Sequence, residues 1–183
     1  MRSRSRRGVG QIKTLYVLRH AKSDWGDPGI DDFNRPLNER GWKSARRIGK
    51  EMKHRRMTFD LGLASPAARA RETIDGVIET YGEPKFPIRF EPRMYGASVE
   101  ILVELIRGIP ADVEAALMVG HNPGLERLVA ELTGDDRKGL RDRVAGKFPT
   151  AAMAVIELPA ASWAEVEPGE GQVVELLLPR ELD

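Results

Sequence analysis

Two histidines and two arginines stand where they could grip and attack a phosphoryl group. Arg19-His20-Ala21-Lys22 follows the apolar run Thr14-Leu-Tyr-Val-Leu18. Ser65-Pro66-Ala67-Ala68-Arg69 follows Asp60-Leu-Gly-Leu-Ala64, and Gly120-His121-Asn122-Pro123-Gly124 follows Ala115-Ala-Leu-Met-Val119. A neutral imidazole is a competent nucleophile toward phosphorus and gives a phosphohistidine. An arginine is permanently charged and planar, so it holds phosphoryl oxygens bidentately. A second imidazole adds to the charge neutralisation on which phosphoryl transfer depends. A histidine at one strand end is ordinarily a polar loop residue, so the reading rests on the convergence of three tips.

The intervening elements decide whether those tips converge. Short β-rich runs alternate with longer helical ones. Asn38 reads as the N-cap of a helix with Trp42, Ala45, Ile48 and Met52 on one face. Ser65-Pro66 reads as a cap and a first helical position, with the helix running to about Tyr81. Residues 87–90 form a third strand candidate, and Ser98 caps a helix that stops at Gly108-Ile-Pro110. Asn122-Pro123 again reads as cap and first turn, with the helix ending near Gly134. Residues 135–147 are highly charged and give no assignment. Residues 152–158 and 173–178 are the last two strands, paired as a hairpin or apart. This alternation predicts a three-layer α/β/α fold with a mostly parallel sheet, whose ligand lies beyond the carboxyl ends of the strands.

Composition sets the outer bounds. The chain has 183 residues, 41% hydrophobic and 31% charged, with no cysteine and a net charge of +1. One domain over residues 11–183 is expected, preceded by a disordered basic tail over residues 1–10. Without cysteine there is no disulfide framework or thiolate site. The balanced charge gives no general case for nucleic acid, and no apolar run is long enough for a membrane span. The Arg-rich start lacks the apolar core of a secretory signal, so a cytoplasmic protein is expected. No carboxylate has metal-ligand spacing with a histidine, so neither metal nor other cofactor is implied. Gly8-Val-Gly-Gln-Ile-Lys-Thr14 is not a phosphate loop, because Ile12 replaces a glycine and the segment precedes a strand. His54, in a basic run at a helix end, reads as structural. Arg71 competes with Arg69 for the pocket, but Arg69 is nearer the strand tip.

The motifs in order also resemble a known family. They are Leu18-Arg-His-Ala-Lys-Ser-Asp-Trp25, Arg35-Pro-Leu-Asn-Glu-Arg-Gly41, Ser65-Pro-Ala-Ala-Arg-Ala-Arg-Glu-Thr73, Val119-Gly-His-Asn-Pro-Gly-Leu125 and Phe148-Pro-Thr-Ala-Ala-Met153. Together they resemble the histidine phosphatase superfamily, named earlier after phosphoglycerate mutase, and most of all its SixA-type phosphohistidine phosphatases. The resemblance implies a phosphoglycerate mutase-like fold, His20 as nucleophile, and Arg19, Arg69 and His121 as the rest of the phosphate pocket. Ala21 stands where the superfamily commonly has glycine. Lys22, Ser23 and Asn122 are candidate substrate-binding residues beside the pocket. Larger relatives carry a carboxylate acid after the third strand; Glu91 is the candidate here and Asp24 the second.

Two substrate classes follow. One is a phosphohistidine on a partner protein, favoured by short loops that leave the site open and by a leaving group that solvent can protonate. The other is a small phosphate ester, which needs a competent acid. Both release inorganic phosphate. A non-catalytic phosphate-binding module is the third alternative. Attack by a neutral His20 implies a rate that falls in acid.

Overall fold

The computed structural model describes residues 10–83, 85–134, 136 and 138–182. The Arg-rich start up to residue 9 lies outside them, as do residues 135 and 137 of the charged stretch and the final residue.

Six strands form one sheet: β1 (Lys13–Arg19), β2 (Leu61–Ala64), β3 (Ile88–Phe90), β4 (Ala115–Gly120), β5 (Met153–Leu158) and β6 (Gln172–Leu177). Their spatial order is β3-β2-β4-β1-β5-β6. The pairs β1–β4, β2–β4 and β2–β3 are parallel, and β5 runs antiparallel to both its neighbours. The last two strands therefore do pair with each other. Side chains of a strand alternate between faces, and the core follows that period. Leu15 and Val17 of β1, Ala116 and Met118 of β4, and Ala154 and Ile156 of β5 join one apolar cluster. Leu18, Leu117, Val119, Met153 and Val155 join the other.

Five helices cover the two faces: α1 (Glu39–His54), α2 (Ala68–Tyr81), α3 (Val99–Arg107), α4 (Gly124–Leu132) and α5 (Leu140–Gly146). Helices α1 and α2 pack on the Leu18 side, α3, α4 and α5 on the Val17 side. This is the three-layer arrangement expected. The Asn38 and Ser98 caps form as expected, their side chains accepting from Gly41 N–H and Ile101 N–H.

Two helix starts differ from the sequence expectation. α2 begins at Ala68, so Ser65 is not its N-cap and Pro66 lies outside it. α4 begins at Gly124 after Pro123, so Asn122 is not its cap. In both places the polar residue before the proline is engaged at the site described below. α5, unassigned from sequence, is seven residues long with Val144 its one buried residue. So short and charged an element carries almost no periodic signal.

The α1–α2 contact depends on glycine. A Cβ on Gly49 would lie 2.2 Å from the Val77 carbonyl oxygen and 2.3 Å from Thr80 Oγ1. One on Gly41 would lie 2.1 Å from the Lys22 carbonyl oxygen. Gly41 thus lets the start of α1 close onto the chain two residues beyond His20. Gly49→Ala is expected to destabilise the fold by about 1–3 kcal/mol through overpacking. Gly146→Ala adds a methyl that meets nothing within 4 Å and is expected to be neutral or slightly stabilising. Thermal melting of the two variants checks this, and equal midpoints would contradict the close helix packing.

Candidate active site

The carboxyl ends of β1, β2 and β4 lie side by side, and the predicted residues meet there. The register pairs Arg19 with Gly120 and Ala64 with Val119. The His20 N–H donates to the Gly120 carbonyl at 3.0 Å, and the Ser65 N–H to the Val119 carbonyl at 3.0 Å. These ladder-like bonds extend the sheet one residue past each tip. The ring centroids of His20 and His121 are 5.2 Å apart. His20 is 7% exposed and Arg69 6%, so two basic side chains are withdrawn almost wholly from water.

Each is held by a polar neighbour. Arg19 donates through Nη1 to the Phe148 carbonyl at 2.9 Å, and Asn122 Nδ2 donates to the same oxygen at 2.9 Å. One carbonyl between α5 and β5 thereby ties the ends of β1 and β4 together. Asn122 Nδ2 also lies 3.4 Å from Glu126 Oε2. The Ala21 N–H donates to Thr73 Oγ1 at 2.9 Å, and that hydroxyl donates to the Arg69 carbonyl at 2.6 Å. Thr73 therefore fixes the β1 tip against the first turn of α2, which carries Arg69. Ser65 Oγ lies 2.7 Å from His121 Nε2 and accepts from the Ala67 N–H at 3.3 Å.

The hydrogen bonds also set the histidine faces. His20 Nδ1 lies 2.7 Å from the Ala21 carbonyl, an acceptor only, so Nδ1 carries the proton. The Nε2 lone pair is thereby left free. Burial pushes His20 down to about 3, with the His121, Arg69 and Arg19 charges adding to the shift against the Ala21 bond. Burial, then Arg69, pushes His121 down to about 4, with Asp32 opposing. Both imidazoles are neutral near neutrality.

Among the described residues, the buried side-chain polar atoms without a hydrogen-bond partner are Arg19 Nε, Arg35 Nε, Arg69 Nε, His121 Nδ1 and Asn122 Oδ1. All belong to this site or its rim. An unpaired buried donor costs about 1–3 kcal/mol, so such atoms are tolerated where a ligand will use them. The donors suit a tetrahedral oxyanion. Among the described residues no group of three or more His, Cys, Asp or Glu could hold a metal ion, and no helix is long and apolar enough to cross a membrane.

Other sequence candidates sit elsewhere. Lys22 is exposed, and its carbonyl accepts the Asn38 N–H at 3.0 Å. The Ser23 hydroxyl accepts from the Arg35 guanidinium and anchors the loop before α1. Asp24 Oδ1 accepts the Gly26 N–H at 2.8 Å and closes its own turn. Glu91 Oε1 accepts the Arg93 N–H at 3.3 Å and lies 3.5 Å from Arg93 Nε. Neither acid candidate is engaged with the two histidines. Arg71 donates to the Pro66 carbonyl and lies over the Phe90 ring, outside the pocket. The His54 side chain is 84% exposed beside Glu51.

Three contributors have no counterpart among the sequence candidates: Asp32, Arg35 and Tyr95. Arg69 donates through Nη1 to the Asp32 carbonyl at 2.7 Å and through Nη2 to Asp32 Oδ2 at 3.0 Å. Arg35 Nη2 lies 3.0 Å from Asp32 Oδ1, and the Tyr95 hydroxyl donates to Oδ2 at 2.6 Å. The Tyr95 ring meets His121 edge to face at 5.7 Å. Arg35 sits inside a quoted motif, but nothing local in the sequence marks Asp32 or Tyr95 as its partners.

Comparison with known proteins agrees with this geometry. The sequence profile described as "Histidine phosphatase superfamily (branch 1)" matches residues 15–99. An uncharacterised protein of Mycobacterium tuberculosis is 36% identical over 166 residues, 89% of this chain and 100% of that one. The crystal structure of a protein from Agrobacterium tumefaciens, assigned as the phosphohistidine phosphatase SixA, is similar at 32% identity. It has a TM-score of 0.75, with 91% of this chain and 98% of that one covered. A phosphoglycerate mutase of Plasmodium falciparum, 16% identical, shares the fold with a TM-score of 0.61 over 91% of each chain.

The two depressed histidines make stability depend on pH. Their folded values of about 3 and about 4 lie below the ordinary 6.5, so the unfolded chain binds more protons between those limits. Their contribution is present above about pH 6.5 and is lost as pH falls toward 4. The melting midpoint is expected to drop across that window, and less steeply in His20→Asn. A midpoint level from pH 7.5 to 4.5 would contradict buried neutral imidazoles. The paired tips, the buried histidines and these likenesses lead to one assignment: the chain belongs to the histidine phosphatase superfamily, in its SixA-like branch, and is a histidine-nucleophile phosphatase.

Proposed function

We propose that the protein removes the phosphoryl group from a phosphohistidine on a partner protein, through a phosphohistidine intermediate at His20. In this reading His20 Nε2 attacks phosphorus. Arg19, Arg69 and His121 Nδ1–H neutralise the phosphoryl oxygens as charge redistributes. The observation that carries it is the pair of imidazoles 5.2 Å apart, one with a free Nε2 lone pair and the other with an unpaired buried Nδ1. Ser65 supports the reading by donating its hydroxyl proton to His121 Nε2, which leaves the proton on Nδ1 for the substrate.

A protein substrate is supported by the mouth of the site. Among the described residues the exposed large apolar side chains are Ile12, Trp25, Ile30 and Tyr95. Three of these four lie on the loop before α1 or the turn after β3, the two segments that supply the partners of Arg69. Trp25 is 76% exposed, with the Arg35 guanidinium 3.6 Å over its ring. Exposed aromatic and aliphatic side chains around a buried reactive group suit contact with another protein surface. The likeness to the Agrobacterium protein assigned as SixA points the same way.

Two measurements test this. Quenching during turnover should leave acid-labile phosphate on His20, and His20→Ala should abolish both the label and the activity. Turnover without the label would overturn the intermediate. A panel setting a phosphohistidine-bearing protein beside sugar and nucleotide phosphates should favour the protein; strong preference for a small ester would overturn the substrate class. The low value of His20 also sharpens the pH expectation. kcat/KM should hold well below neutrality and fall only as pH approaches about 3, because the imidazole of His20 stays neutral in the free enzyme down to that range. A fall centred on the ordinary histidine range would contradict its burial.

A further inference from the structure

The phosphate pocket already holds an anion belonging to the protein. Asp32 lies in a short helical turn, Asp32–Asn34, on the loop before α1, and its side chain is 50% exposed. Its carboxylate accepts from three elements at once: Arg35 on its own loop, Arg69 on α2 and Tyr95 after β3. Both Nη groups of Arg69 are engaged with this one residue, while Arg69 Nε is buried without a partner. A phosphoryl group that grips the guanidinium along its Nε–Nη2 edge needs the Nη2 proton that Asp32 Oδ2 now accepts.

We propose that Asp32 is the resident anion of the phosphate pocket, that it yields Arg69 Nη2 to the incoming phosphoryl group, and that it then carries the proton for the leaving group. The proposal rests on the phosphatase reading above. In the free protein the Tyr95 hydroxyl, with Arg35 and Arg69, holds the Asp32 carboxyl well below the usual carboxylate range. Phosphoryl binding reverses the balance. Asp32 loses a counter-cation and gains a dianion as neighbour, and both changes raise its proton affinity. Its exposure gives it access to solvent protons. The other groups facing it are neutral His121, against which the Tyr95 ring packs, and adjacent Asp31, bonded to Asn34.

The proton balance closes over one cycle. In the first step the His20 Nε2–P bond forms, the bond from phosphorus to the leaving atom breaks, and protonated Asp32 gives its proton to that atom. In the second, water attacks phosphorus, Asp32 takes the water proton, and the P–Nε2 bond breaks. When phosphate departs, Asp32 releases that proton to solvent and returns to Arg69. This role fills the gap left by Glu91 and Asp24, whose carboxylates close their own turns.

Asp32→Asn separates the two parts of the proposal. Sulfate, a dianion across the working pH range, is the binding probe. An amide cannot compete for Arg69 as a carboxylate does, so the variant is expected to bind sulfate about 10-fold more tightly. Hydrolysis of phenyl phosphate should fall roughly 100-fold further than hydrolysis of p-nitrophenyl phosphate, whose leaving group needs little protonation. Weaker sulfate binding, or equal loss on both esters, would overturn the proposal. Asp32→Ser gives the same comparison if the amide lowers the melting temperature. A wild-type protein that hydrolyses neither ester nor phosphohistidine would overturn the phosphatase reading, and the sulfate comparison would still decide the exchange.

Discussion

Bringing guanidinium and imidazole groups together away from water is the constraint around which this fold is arranged. Like charges repel strongly in a low-dielectric interior, and a buried cation without partners is costly. The structure meets the difficulty in two ways. The histidines are kept neutral by burial, so they add polarity without adding charge. The arginines are offset by acceptors that leave part of each guanidinium free: the Phe148 carbonyl for Arg19, and Asp32 for Arg69. Complete pairing would leave nothing for a substrate, and no pairing would destabilise the fold. The unpaired Nε atoms are the residue of that compromise.

Sheet topology makes the compromise workable. β4 lies between β1 and β2, so three tips that are distant in sequence become neighbours in space. The chain leaves β1 on the α1 side, builds β2 and β3, and returns to β4 past α3 on the opposite face. Strand ends flanking such a reversal open a crevice that neither helix layer covers. The antiparallel β5 on the other flank of β1 delivers the Phe148 carbonyl from just before its own start. Strand backbone is the most rigid available support. Arg19, His20 and His121 each sit within a residue of a ladder hydrogen bond, and Arg69 is tied to the β1 tip through Thr73, which limits drift between nucleophile and phosphate-binding groups.

The strand tips were legible in the sequence because each is an abrupt change from buried apolar residues to polar ones, a local signal. His20, Arg69 and His121 could therefore be brought together from the pattern alone. What failed to show was what depends on distant partners. Ser65 and Asn122 have the residue types of helix caps, yet each is spent across the site, on His121 and Phe148, and α2 starts two residues and α4 one residue later than a local reading gives. Asp24 and Glu91 were credible acids by position in the chain, but each finds a backbone N–H two residues on and satisfies it. Asp32 was one acidic residue in a loop containing several. Its significance comes from Arg69 and Tyr95, 37 and 63 positions away. Side-chain pairing at such separations leaves no periodic trace.

Asp32 also connects the compromise among charges to the reaction. A preorganised cationic pocket binds its transition state well because little reorganisation is needed at the moment of reaction. Such a pocket would be strained in the free protein unless something stood in for the substrate. A carboxylate on an exposed loop can stand in and then withdraw into water, whereas a buried one would be left as an uncompensated charge. Its partner Tyr95 contacts His121 through its ring and Asp32 through its hydroxyl, so one side chain links Asp32 to the second histidine. The same residue can then answer for both the order of the free pocket and the proton of the occupied one. Only an exchange of partners, and no large rearrangement of the sheet, separates the two states.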